Sequence, residues 1–200
     1  MSEPERLRTA AMDTALRPVI PNAVLGMLFF LGAEVMFFAG LISAFLVLRA
    51  SVETWPPVDQ PRLPVVAAAV NTFVLLLSAE TMRRARAAIG RGRPDGLRRW
   101  LAVTTVLAVT FLVVQGMQWI RLLRDGLGAT SGAYGATFYT LTGAHALHVL
   151  AGVGVLSAVL WQALRGRCSG EHHAAVEACG LYWFFVAGIW PLLYGLVYLS

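Results

Sequence analysis

The sequence predicts an all-α, polytopic membrane protein whose five transmembrane helices form one bundle. Three observations lead there. Hydrophobic residues make up 58% of the chain and the mean hydropathy is +0.66, well outside the balance of a soluble domain. Five apolar runs each reach the roughly 20 residues a helix needs to cross a hydrocarbon core: Val24 to Leu48, Leu63 to Met82, Leu101 to Ile120, Tyr134 to Leu164 and Ala174 to Leu199. The runs are continuous, whereas a membrane barrel shows short alternating segments, so backbone groups must be satisfied within helices. The runs fill nearly the whole chain, which predicts a single membrane domain over residues 1–200.

The first 17 residues are polar, and the apolar run after them is too long for a signal-peptide core and closes without a small-residue cleavage pattern, so no segment is expected to be removed. Within the first run, Glu34 stands about ten residues in, beyond the reach of any cation on the same helix. A carboxyl at that depth costs a few kcal/mol even on insertion-based scales. It is either a protonatable site, a lipid or ligand contact or an inter-subunit hydrogen bond, or it is a neutral carboxyl bonded to a neighbouring helix. Pro56, Pro57, Pro61 and Pro64 stiffen the connection into the second run. Near the end of that run Glu80 lies three and four residues before Arg83 and Arg84, the spacing of a helical ion pair. The segment Arg93-Pro-Asp-Gly reads as a turn.

The fourth run places His145 and His148 one turn apart on one face, with Gly152 a turn further on. Four histidines could in principle provide axial pairs to a heme. However, His172 and His173 lie at a helix mouth and no second histidine at mid-depth faces the fourth run, so hydrogen bonding between helices is the expectation. Gly40 with Ala44 and Gly154 with Ala158 are pairs of small residues that suit close helix approach. At the mouth of the fifth run, His173 and Glu177 are four apart and read as an interfacial pair, with too few ligands for a metal site.

All sixteen basic residues are arginine, and the formal net charge is +5. Twelve of them precede the first run or sit in the second and fourth connections, which predicts the amino terminus inside and the carboxyl terminus outside. The isoelectric point near 9.9 is therefore a topology signal, compatible with contact to anionic headgroups, and no nucleic-acid partner is expected. The only cysteines are Cys168 and Cys179; Cys168 falls on the reducing side, so a structural disulfide is not expected.

Several segments together carry a resemblance. Ala33-Glu-Val-Met-Phe-Phe-Ala-Gly40, Asn71-Thr-Phe-Val-Leu-Leu-Leu-Ser78, Tyr134-Gly-Ala-Thr-Phe-Tyr139, Thr142-Gly-Ala-His-Ala-Leu-His-Val149 and His172-His-Ala-Ala-Val-Glu-Ala-Cys-Gly-Leu-Tyr-Trp183 occur in order along the five runs. They resemble subunit III of cytochrome c oxidase, in its short five-helix bacterial form. The resemblance implies a non-catalytic subunit of a heme-copper oxidase of the aa3 or caa3 type, in a bacterial plasma membrane. It implies no cofactor in this chain, heme and copper in partner subunits, direct packing on subunit I, and subunit II and possible further subunits in the same complex. It also implies bound phospholipid, in a cleft between the first two of the five helices and the other three, and a role in proton uptake and in protecting the catalytic subunit during turnover. Glu34 matches the family's buried carbodiimide-reactive glutamate, and His145, His148, His172, His173 and Glu177 match positions of its motifs.

The chain departs from the family pattern in two places. Phe184 and Ala187 stand where the last helix usually carries a histidine and an aspartate, and Gln118 stands where many members have a glutamate. Related subunits of quinol oxidases and of nitric oxide reductase clusters are the nearest alternatives. A small proton-coupled transporter is a further one, although the inverted repeats and paired helix breaks of that class are missing: Pro191 is the only proline deep in a run.

Overall fold

The computed structural model describes residues 22–58, 60–166 and 173–199, with the side chains of Asn22 and His173 left aside. The described residues form five helices: α1 (Asn22–Ala50), α2 (Val65–Gly90), α3 (Pro94–Arg124), α4 (Gly132–Leu164) and α5 (His173–Tyr198). All five are long and apolar enough to span a bilayer. The predicted runs are recovered, but the helices outrun them at the arginine-rich end. Arg83, Arg84 and Arg86 ride on the last turns of α2, and Arg98 and Arg99 on the first turns of α3.

The expected turn at Arg93-Pro-Asp-Gly is corrected. Pro94 is the first residue of α3 and Asp95 lies in its first turn, where a missing N–H costs nothing and a negative charge meets the positive end of the helix dipole. The reversal happens one residue earlier. Gly92 adopts φ +65°, its N–H donates to the Ile89 carbonyl, and the Arg93 N–H donates to Ala88 at 2.9 Å. This paired closure at a left-handed residue ends a helix in a way that glycine alone adopts without penalty. The same closure ends α3, where Gly126 has φ +93° and Leu127 N–H donates to Leu122 at 2.9 Å. At the other end of α3, Arg98 Nε donates to the Ala163 carbonyl at 2.9 Å and so satisfies one of the last carbonyls of α4.

Helices α2, α3, α4 and α5 close a ring in that order, with α2 also packed on α5. Helix α1 stands outside the ring, touching α4 and α5 and making no contact with α2 or α3. This overturns the expected cleft between the first two helices and the other three, because α2 packs most extensively on α3. The reason is polar: Thr81 and Thr104 share a hydroxyl hydrogen bond of 2.8 Å, and Asn71 Nδ2 donates to the Phe111 carbonyl at 3.2 Å. In hydrocarbon these groups have no water to turn to, so each holds the two helices together. Among the described side chains of α1 only Phe38 and Phe45 are buried, seven residues and hence about two turns apart on one face.

The ring is locked through α5. Trp183 and Trp190 are both fully buried, and their indole N–H groups donate to Ser78 Oγ (3.1 Å) and Thr72 Oγ1 (2.9 Å) on antiparallel α2. Gly152 on α4 is what lets Trp183 sit there, since a methyl group on it would come within 2.8 Å of the indole. The small-residue pairs singled out in the sequence do something else. Among the described residues, Gly40 and Gly154 have no atom of another helix within 4 Å of where a side chain would begin, so neither seats a described helix. Their faces point outward because the polar and aromatic stripes of α1 and α4 claim the inner side.

Replacing Thr72 by Val, or Ser78 by Ala, leaves a buried indole N–H unpaired and should destabilise the folded chain by about 1 to 3 kcal/mol. Ser43→Ala, which removes only a bond to its own helix, should stay within about 0.5 kcal/mol. Gly152→Ala should cost about 1 to 3 kcal/mol through overpacking against Trp183. Unfolding in mixed detergent micelles, followed by circular dichroism, measures all four.

Candidate functional site

At mid-membrane depth the outer helix is tied to the ring by one polar contact. Glu34 Oε2 lies 2.7 Å from His148 Nε2, with the two side chains 16% and 17% exposed. The other ring nitrogen, Nδ1, lies 2.7 Å from the Ala144 carbonyl, which can only accept, so Nδ1 carries a proton. One proton then lies between Nε2 and Oε2. Imidazolium with carboxylate and imidazole with carboxylic acid are the two placements of that proton, and the pair is neutral overall in both. A neutral pair is far cheaper to hold in hydrocarbon than a lone carboxylate.

Aromatic rings flank the imidazole of the pair. Phe37 and Phe38 lie 5.9 and 5.0 Å from the His148 ring, centroid to centroid, and Tyr182 on α5 donates its hydroxyl hydrogen to the His148 carbonyl at 3.0 Å. That bond brings the third helix of the α1, α4 and α5 contact to the same level. The shared proton can move between Nε2 and Oε2 with the pair staying neutral, whereas gaining a second proton or losing this one would leave a charge in hydrocarbon. Among the described residues no group of three or more His, Cys, Asp or Glu side chains is placed to hold a metal ion.

His145 has a different fate from the one its spacing suggests. It is completely buried, stacked on Trp190 with centroids 4.6 Å apart and edged by Phe111 at 5.9 Å. Neither of its ring nitrogens has a hydrogen-bond partner among the described residues. The expectation that both histidines bond between helices therefore holds for His148 alone. A heme between them does not fit this geometry, because both nitrogens of His148 are engaged and His145 is walled in by rings. Another polar group of the ring interior escaped sequence reading: Gln115 Nε2 donates to Tyr198 hydroxyl at 3.2 Å. Gln118, noted in the sequence as a departure from the family pattern, is buried without a partner among the described residues.

Glu177 is partly buried and lines a small pocket of about 240 Å³ with Arg83, Arg86, Ile89 and Gly90 at the arginine-rich end. It makes no ion pair within 4 Å among the described residues. The expected pairing with the side chain of His173 lies outside the described residues, as does His172. Glu80 behaves as expected: it takes two bonds from Arg83 (2.7 and 2.8 Å) and one from Arg84 (2.9 Å).

The partner of Glu34 was hidden from sequence reading because it lies 114 residues away. Depth was the available signal. Glu34 is twelve residues along α1 from Asn22, and His148 is sixteen residues back from Leu164, or about 18 and 24 Å from the same end at 1.5 Å per residue. If the contact anchors α1, Glu34→Ala and His148→Ala should be strongly non-additive, with a coupling of about 1 to 2 kcal/mol in a double-mutant cycle. Glu34→Gln, whose amide can still donate to Nε2, should lose less. Additive losses in the same detergent unfolding assay would count against the anchor.

Comparison with known proteins agrees with this architecture. The family model described as cytochrome c oxidase subunit III matches residues 12–200. Cytochrome c oxidase subunit 3 of Synechocystis sp. is 37% identical over 175 residues, covering 87% of this chain and 74% of that protein. The subunit 3 of Thermostichus vulcanus is 33% identical, covering 88% and 86%, and the probable subunit 3 of Nocardia farcinica is 33% identical, covering 89% and 88%. A match over nearly the full length, on five membrane-spanning helices, makes this chain a multi-pass membrane protein of the cytochrome c oxidase subunit III family, a component of an oxidoreductase complex with other subunits.

Proposed function

We propose that this chain is the non-catalytic third subunit of a proton-translocating, aa3- or caa3-type cytochrome c oxidase in a bacterial plasma membrane, with its amino terminus inside. It forms a single membrane domain, packs directly on subunit I within a complex that includes subunit II, and binds phospholipid. It sustains proton uptake and the turnover lifetime of the catalytic subunit, whose heme and copper lie outside this chain. The observation that carries this reading is the Glu34–His148 pair, a neutral one-proton site set at the junction of α1, α4 and α5. Around it, α1 offers exposed Phe29, Met36 and Val47, an apolar face of the kind that lipid or another membrane subunit covers. His145, His172, His173 and Glu177 are proposed to support the same role as buried or interfacial polar groups rather than as ligands.

The test is co-expression with the catalytic subunit of its own oxidase. The chain is expected to co-purify and to lengthen the active lifetime under turnover without changing the heme spectrum. Glu34→Gln should keep heme content and initial oxygen consumption within a few-fold, the scale of one altered buried hydrogen bond worth about 1 kcal/mol, while shortening that lifetime. Complete loss of oxygen reduction in a normally assembled complex would overturn the supporting role. A stoichiometric heme in the chain expressed alone, lost on changing His145 or His148, would replace the reading with a b-type cytochrome.

A further inference from the structure

The turn between α2 and α3 encloses a pocket of about 310 Å³, lined by Arg83, Arg84, Arg91, Arg93, Gly96 and Trp100 among others. Its electrostatics are unbalanced. Arg83 and Arg84 share the single carboxylate of Glu80, whereas Arg91 and Arg93 pair with no carboxylate among the described residues. Four guanidinium groups against one carboxylate leave a net of three positive charges around one cavity. Asp95, in the first turn of α3, is turned out to solvent at 94% exposure, with Arg98 at 3.3 Å, and Glu177 lines a separate pocket that Arg83 also lines, without an ion pair among the described residues. The amino end of the 31-residue helix α3 lies at the same pocket with no side-chain cap, and its dipole adds to the positive potential.

We infer that this pocket is a binding site for the phosphodiester of an anionic phospholipid headgroup. Planar guanidinium groups match phosphate oxygens in pairs and are less strongly hydrated than ammonium groups, so they suit that contact. Trp100, under the Arg84 guanidinium at 4.9 Å, supplies an amphipathic ring at the boundary of the headgroup layer. The surface below the pocket distinguishes a lipid from free phosphate. Val70 and Leu77, 62% and 41% exposed, precede Arg84 at seven-residue intervals along α2, so the three form one stripe with apolar steps at membrane depth and a guanidinium step at the mouth, and Arg91 follows directly past the end of the helix. An acyl chain lies along the lower half of this stripe while its phosphate meets the upper half.

This site gives a headgroup preference to the lipid binding proposed above and can fail without it. Native mass spectrometry of the full-length chain, purified in mild detergent and equilibrated with mixed micelles of phosphatidylglycerol and phosphatidylethanolamine, reads both. Arg91→Gln and Arg93→Gln should each lower retained phosphatidylglycerol by about fivefold, the effect of removing one near-surface charge, while phosphatidylethanolamine retention, which reports general lipid binding, stays level. Lysine at either position should restore part of the loss. Arg165→Gln, at the same end but outside the pocket, should change little. Inorganic phosphate that competes fully with the lipid would keep the phosphate site but assign it to the soluble ion; failure to compete supports the lipid. Unchanged phosphatidylglycerol retention in both pocket variants, or an equal loss with Arg165→Gln, would overturn the site.

Discussion

A polar atom inside a bilayer has to find its partner within the protein, and the two indoles of α5 meet that demand in a way that organises the rest of the chain. Trp183 and Trp190 fill the ring interior with apolar surface and place one N–H each on a hydroxyl of α2. Lipid tails are as apolar as the side chains they surround, so burial alone gives little reason for one helix to choose another. Directional bonds and close packing make the choice instead. Gly152 on α4 admits the Trp183 ring, and Trp190 in turn stacks on His145 of α4, so three helices are located by two side chains.

Against this locked ring, α1 is held differently. It buries two phenylalanines, packs Met27, Leu31, Leu41 and Ile42 partly against the core, and contributes one half of a proton-bearing pair, with most of its other described side chains exposed. The contrast bears on function. A helix attached through Glu34 and His148 leaves the pair near the surface of the bundle, where a neighbouring subunit or lipid can reach it, and not sealed in the interior with His145. The two histidines are three residues apart, yet one faces a carboxylate on another helix and the other faces aromatic rings.

The arginine-rich end adds a second layer of organisation. Extending α2 and α3 beyond the apolar runs lifts Arg83, Arg84, Arg98 and Arg99 onto ordered helical turns, where each meets a defined partner. Arg83 and Arg84 hold Glu80, Arg98 reaches the Ala163 carbonyl, and Arg99 lies over the Trp100 ring. The tight reversal at Gly92 leaves Arg91 and Arg93 over a cavity. What the sequence presents as a charged loop is a structured cationic surface.

The amino-acid sequence by itself determined the class of the protein, its five spans, the Glu80 ion pair and the family, because hydropathy, local spacing and contiguous motifs act over a few residues or along one helix. It also marked Glu34 and His148 as unusual, since a polar group deep in an apolar run is visible without neighbours. Helix ends were read short, because capping at Gly92 and Gly126 lets charged turns continue the helix past the apolar core. Which helices touch was decided only by the tertiary structure: α2 went to α3 and α5 rather than to α1, and Glu34 found His148 across 114 residues. Those choices rest on matching depth and facing direction between bonds on separate helices, quantities that exist only once the helices are placed side by side.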